Sequence, residues 1–181
     1  PEDEPPRGPD VTAIETDATT LGAMLEIVRE QIDVDLYIWI PPGVEVEPNG
    51  MQLFLDKHVE DPDAALIASD YTLKGRHVEL HPFAGDLTER EDFGAVWGLP
   101  KSFLAAVGGA NPDLKFTTFY DLRLKLMEHG SVARVSVPTH TIFPPKDEGN
   151  VDSDVLFYPG GGAYGGFSYL FMDKDEEEET E

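Results

Sequence analysis

The sequence predicts an all-β fold, a single jelly-roll or β-sandwich barrel with one or two short helices. Three observations predict it. The stretch 116–138, FTTFYDLRLKLMEHGSVARVSVP, reads as two strands joined at Glu128-His129-Gly130. About eight to ten such segments of ordinary strand length follow one another along the chain, spaced by turn signals. They do not alternate with long helices, as a doubly wound parallel sheet requires.

In the 116–138 stretch, Leu122, Leu124 and Leu126 alternate with Arg123 and Lys125. Ala133, Val135 and Val137 alternate with Arg134 and Ser136. Successive side chains of a strand point to opposite faces, so each arm has one apolar and one polar face. His129-Gly130 tolerates the positive φ of a tight turn. A hairpin with one apolar face must lay it on another layer, and the rest of the chain is expected to supply that layer.

Taken in order, residues 1–10 (PEDEPPRGPD) form an extended, acidic, proline-rich arm. Val11–Thr16 suits a short strand. Asp17–Gln31 is ambiguous: Leu21, Met24, Leu25 and Val28 share a helical face that Asp17 can cap, while Leu25 and Ile27 also suit a strand. Helix is the reading favoured here, though it sits awkwardly with a plain jelly roll. Ile32–Ile40 alternates Ile32, Val34, Leu36, Ile38 and Ile40 with Asp33, Asp35, Tyr37 and Trp39, and ends at Pro41-Pro42-Gly43. Val44–Glu47 and Met51–His58 read as a second hairpin turned by Pro48-Asn49-Gly50. Leu66–Leu73 and His77–His81 are short strands around Lys74-Gly75, and Gly85–Asp92 is a polar loop. Pro100–Val107 is the clearest helix, with Pro100 at a first helical position and Gly108-Gly109 as its stop. Thr139–Phe143, Val155–Tyr158 and Phe167–Met172 complete the strands. The barrel domain therefore spans 11–172, and 173–181 (DKDEEEETE) is a solvated, disordered acidic tail.

Composition narrows the function classes. Against 36 acidic residues stand 13 basic ones, a formal net charge of -23. Phosphate binding needs clustered Lys and Arg, so nucleic acid is not an expected partner, nor is an anionic membrane surface. Acid spread this widely is the composition of a protein working in concentrated brine, where salt screens the self-repulsion. There is no cysteine, hence no disulfide, thiolate nucleophile or Cys-zinc site. No apolar run approaches the roughly 20 residues of a membrane span. The opening lacks the basic start and apolar core of a signal peptide, and the absent initiator Met suggests a processed or trimmed start.

Candidate chemistry is sparse. Gly160–Gly165 matches G-x-G-x-x-G, but it opens a strand-like segment and not a helix, so no dinucleotide site is assigned. His77, Glu79 and His81 point to one face of their strand. Neighbours lie about 6.6 Å apart, so at most two serve one ion and a third ligand must come from elsewhere, for which His140 and His58 are candidates. A polar outer face is the preferred reading. Asn150-Val-Asp152-Ser-Asp154 begins like a calcium loop, yet Val155 stands where the loop needs glycine and Gly161 where it needs glutamate. There is no G-x-S-x-G elbow. Asp33 and Asp35 share a strand face, as many acid pairs here do. His129 is explained by its turn, and Trp39 and Trp97 by packing or an interface. No catalytic, cofactor-binding or metal residue is assigned, no cofactor is expected, and the chain is not expected to be an enzyme.

In size, brine acidity, lack of cysteine and strand succession the chain resembles the small major capsid proteins of halophilic archaeal icosahedral viruses with an internal membrane. The stretches that carry the likeness are DLYIWIPPG and DLRLKLMEHGSVARVSVPTHTIFPP. The resemblance implies a single jelly roll in the virion shell, assembling with itself and with a larger related capsid protein. It implies no catalytic residues, no membrane insertion, no nucleic acid and no small-molecule substrate. The alternative is a cupin-like metal enzyme or small-ligand binder built on His77, Glu79 and His81, although cupins place two histidines before the glutamate. A secreted adhesion module shares the same bulk features.

Overall fold

The structure, a computed structural model, describes residues 14–83, 93–115 and 117–143. The expected N-terminal arm, the Gly85–Asp92 loop, the strands Val155–Tyr158 and Phe167–Met172, the glycine and acidic loops near 150–165, and the acidic tail lie outside the described residues.

The elements run α1 (Leu21–Gln31), β1 (Leu36–Trp39), β2 (Val44–Val46), α2 (Gly50–Glu60), β3 (Ala64–Leu73), β4 (Arg76–Val78), β5 (Trp97–Pro100), α3 (Lys101–Ala106), α4 (Thr118–Met127) and β6 (Ser131–Ile142). The strands form one six-stranded sheet in the order β1-β5-β3-β6-β2, with β4 paired to β3. β3 and β6 are parallel, whereas β1–β5, β5–β3, β3–β4 and β2–β6 are antiparallel. The fold is mixed α/β, which corrects the all-β jelly-roll or sandwich barrel expected from the sequence. A parallel neighbour needs a long crossover, and the chain between β3 and β6 supplies one that includes α3 and α4.

Helices cover both faces. Leu104 of α3 and Phe119, Leu122 and Leu126 of α4 join Leu66, Ala68, Trp97 and Leu99 in one core layer, with Leu21 and Leu25 of α1 packed against it. Phe54 of α2 joins Ala64, Ile67, Ala133 and Val135 on the other. β3 is buried from Ala64 to Tyr71, so its apolar residues Ala64–Ala68 run without alternation and Ser69 and Asp70 are buried with them.

Two expected strands are helices. The first arm of 116–138 is α4: Phe119, Leu122 and Leu126 are buried at spacings of three and four, and Leu124 is only half-buried. Its Leu, Arg and Lys residues are strong helix formers, and Asp121 pairs with Lys125 one turn on at 2.5 Å. Glu128-His129-Gly130 does end an element, but a helix, with the Gly130 N–H on Leu126 O. Met51–His58 lies within α2, where Pro48-Asn49-Gly50 starts a helix and not a hairpin. Gln52 bonds Asp56 and Lys57 bonds Glu60 along it. The strand expected over Ile32–Ile40 survives only at 36–39, and the strand expected over Val11–Thr16 is absent over its described residues, 14–16. Helix is confirmed at 21–31 and 101–106. Thr20 caps α1 through Oγ1, which accepts from the Ala23 N–H at 3.2 Å.

Candidate functional site

The antiparallel pairs β1–β5 and β5–β3 make β1 parallel to β3. The three strands β1, β3 and β6 therefore run in the same direction, and β1 ends where β5 begins, while β3 and β6 run on past that point. In open α/β sheets the carboxyl ends of the strands are where ligands gather.

An aromatic row stands at the end of β1. Trp39, the last residue of β1, pairs in register with Trp97, the first of β5. Phe119, in the first turn of α4, lies 5.0 Å from Trp39 and 4.8 Å from Trp97, centroid to centroid. Phe93 meets Trp97 edge-on at 6.4 Å, and Phe83 lies 5.9 Å from Phe93. The Arg123 guanidinium sits 4.6 Å from the centre of the Phe93 ring and 5.3 Å from that of Tyr120, attracted by the negative ring faces. Tyr120 is half exposed to solvent and Trp39 and Phe83 are partly so, while Trp97, Phe93, Phe119 and Arg123 are buried. Trp97 Nε1 donates to Gly94 O at 3.0 Å, which fixes the indole. Gly94 has φ +68, and a Cβ there would lie 3.0 Å from Ser69 O, so only glycine lets the chain enter β5 this close to β3.

Beside this row the ladder between β3 and β6 breaks. Ser69 faces Val135 and Tyr71 faces His140, so several residues of β6 oppose Asp70 alone. Pro138 lies in that bulge, where it removes no ladder bond. Asp70 is 1% exposed and accepts four hydrogen bonds. Arg134 Nε and Nη2 reach Oδ1 and Oδ2 at 2.8 and 3.0 Å. His77 Nε2 is 2.9 Å from Oδ2, and the Leu80 N–H is 3.1 Å from Oδ1. Burial pushes the Asp70 carboxyl up, but the bonds from Arg134, His77 and Leu80 outweigh it and hold the group below the ordinary value. The half-exposed His77 imidazole is thus oriented by a buried carboxylate, an arrangement able to pass a proton.

His140 is fully buried and stacks on Tyr71 at 5.7 Å. Its Nδ1 lies 3.0 Å from Thr139 Oγ1 and 3.4 Å from Ser69 Oγ, and its Nε2 has no partner among the described residues. Burial pushes its pKa down from 6.5 to about 4, so it is neutral at pH 7.

The candidates singled out in the sequence fare as follows. His77 turns to Asp70 and Glu79 to Arg134, at 3.3 Å, so the trio with His81 is divided between two partners and does not converge. His140 is held among Ser69, Tyr71 and Thr139, and His58 lies on α2. No group of three or more His, Cys, Asp or Glu able to hold a metal occurs among the described residues. Asp33 pairs with Lys101 at the surface. His129 Nδ1 is 3.0 Å from Lys125 O at the end of α4, so it closes a helix and not the hairpin turn with positive φ expected there. Asp70, Arg134, Tyr120 and Arg123 were not singled out. The available signal was Asp70 itself, a charge between the apolar run Ala64–Ala68 and Tyr71.

No family model matches the chain, and no curated protein matches it. Among solved structures it is similar to S. aureus TarS (residues 1–349), a glycosyltransferase, with a TM-score of 0.59 and 11% identity. The match covers 92% of this chain and 59% of that one. At this identity the likeness speaks for the fold, which is one that an enzyme also uses.

Proposed function

We propose that this chain is a sugar-recognising domain of glycosyltransferase-type architecture, whose ligand lies against the aromatic row at the carboxyl end of β1. The observation that carries it is the set of Trp39, Tyr120 and Arg123 beside the end of β1, where β5 and α4 begin. The apolar face of a sugar ring packs well on an aromatic ring, and Arg123 holds the Tyr120 ring from beneath. The TarS-like fold supports the same direction. The proposal extends to recognition and not to transfer, because the chain spans 59% of the TarS chain.

Titration calorimetry in molar salt, with a panel of nucleotide sugars and neutral oligosaccharides, tests it. At least one probe is expected to bind saturably, with a marked loss in Tyr120→Ala and none in the distant surface control Val59→Ser. Absence of binding across the panel, or full binding by Tyr120→Ala, overturns it. Assembly into a virion shell with a larger relative remains a second proposal. Its support is acidity and sequence likeness, since the jelly roll that the likeness implied is replaced by a mixed sheet.

A further inference from the structure

Among the described residues the sheet has an open edge, and β1 pairs only with β5. Leu36-Tyr37-Ile38-Trp39 carries no charge, proline or bulge, the usual protections of an edge. All four residues are only half-buried, whereas the β5 strand beside them is buried throughout. The helix above is equally under-covered: α1 carries Leu21, Met24, Leu25, Ile27 and Val28, yet its one buried residue is Gly22. Between helix and edge lies a cavity of about 150 Å³ lined mainly by Leu25, Val28, Tyr37, Ile38, Trp39 and Leu122.

We propose that a second copy of this chain covers that edge, β1 against β1, antiparallel about a two-fold axis. Charge and hydrogen bonding both select this occupant. The Lys101 N–H donates to Asp35 O, so Asp35, Tyr37 and Trp39 turn their backbone groups toward β5. Leu36, Ile38 and Ile40 therefore turn theirs outward, and none of the three is proline. A two-fold axis at Ile38 sets Ile38 of one copy against Ile38 of the other, and Leu36 against Ile40. Asp35 and Asp33 then face Pro41 and Gly43 of the other copy, with no acid opposite an acid. A parallel arrangement would align the two aspartates with their like and would not close. An axis normal to the sheet also brings both α1 helices to the same face, side by side. Met24, 39% exposed, and the half-buried side chains around it then cover one another. The net charge of -23 on each copy opposes the pairing, so salt strengthens it.

The absence of cysteine makes the test direct. Opposed Ile38 residues place their Cα atoms about 5.5 Å apart, within the roughly 4.4–6.8 Å that a disulfide spans. Sedimentation of the full chain is expected to show a dimer that strengthens from low to molar salt. Under mild oxidation Ile38→Cys is expected to form a covalent dimer, and the α2 control Leu55→Cys is not. Ile38→Glu sets two carboxylates face to face and is expected to give a monomer of unchanged circular dichroism. A monomer at every salt and protein concentration overturns the proposal and leaves the edge to some other strand. A dimer that Ile38→Cys does not cross-link and Ile38→Glu does not weaken overturns it equally.

Discussion

Arg134 holds Asp70 at two points across the β3–β6 bulge, Nε to Oδ1 at 2.8 Å and Nη2 to Oδ2 at 3.0 Å. The two residues are 64 positions apart in the chain. The pair fastens the parallel strands where their ladder is interrupted. A carboxylate that is 1% exposed stays ionised only because its donors replace the water it has lost.

Removing the arginine therefore does more than delete an attraction. Arg134→Met leaves Asp70 buried beside His77 and Leu80 alone, and is expected to cost about 3–5 kcal/mol, the usual consequence of breaking a buried pair. Arg134→Lys keeps the charge but not the two-point fork, and is expected to fall between wild type and Arg134→Met. Chemical denaturation at fixed molar salt measures both. Equal stability of wild type and Arg134→Met would show that the pair does not hold the bulge.

The leucines of α4 separate the two periodicities that the sequence left open. A strand would bury Leu122, Leu124 and Leu126 alike. The helix buries Leu122 and Leu126, 1% and 0% exposed, and leaves Leu124 half-buried. Leu122→Ala and Leu126→Ala are each expected to lose about 2–5 kcal/mol, and Leu124→Ala clearly less. Thermal or denaturant unfolding of the three variants reads the difference.

That ambiguity explains how much of the fold was legible. Leu-x-Leu-x-Leu over five residues satisfies period two, and its outer members are also one helical turn apart. Tertiary packing on Trp39 and Trp97 decided for helix, and the local helix formers and the Asp121–Lys125 pair did not outweigh the alternation on their own. In α2, Pro48-Asn49-Gly50 is a turn signal for either outcome. α3 was legible because a Pro start and a Gly-Gly stop point one way, and α1 only in part, because Leu21, Leu25 and Val28 at helical spacing competed with Leu25 and Ile27 at strand spacing. The parallel pairing of β3 with β6 was not legible, because a strand buried on both faces shows no alternation to match. The site was less legible still: Asp70 meets Arg134, and Trp39 meets Phe119, only through the crossover.

Gly22 sets helix propensity against packing. In an open helix Gly→Ala gains about 1 kcal/mol. Here a Cβ on Gly22 would lie 1.8 Å from the backbone oxygen of Asn111, and the Gly22 N–H donates to Leu114 O at 3.3 Å. Backbone cannot rotate away as a flexible side chain can. Gly22→Ala is therefore expected to destabilise the protein by shifting α1 off the 111–114 segment. A rise in melting temperature would show that α1 packs there only loosely.

His140 gives the protein a stability that depends on pH, with a sign fixed by its burial. Its pKa is pushed down from 6.5 to about 4 in the folded state. Between those values the unfolded chain binds a proton that the folded chain does not, so acidification favours unfolding. Stability is expected to be full well above pH 6.5 and to fall toward pH 4, by at most about 3.5 kcal/mol at roughly 1.4 kcal/mol per unit. Asp70, whose pKa is lowered, acts in a separate window: its contribution is lost only as pH falls below the ordinary carboxylate range. His140→Phe tells the two apart. Ser69 and Thr139 keep their own hydroxyl contact at 2.6 Å, the ring still meets Tyr71, and the unpartnered Nε2 disappears. The variant is therefore expected to stay within about 1.5 kcal/mol of wild type at pH 7.5, and to lack the decline between pH 6.5 and 4. Denaturation midpoints across that range, at constant salt, measure it. An unchanged decline in His140→Phe would assign the acid sensitivity to other groups.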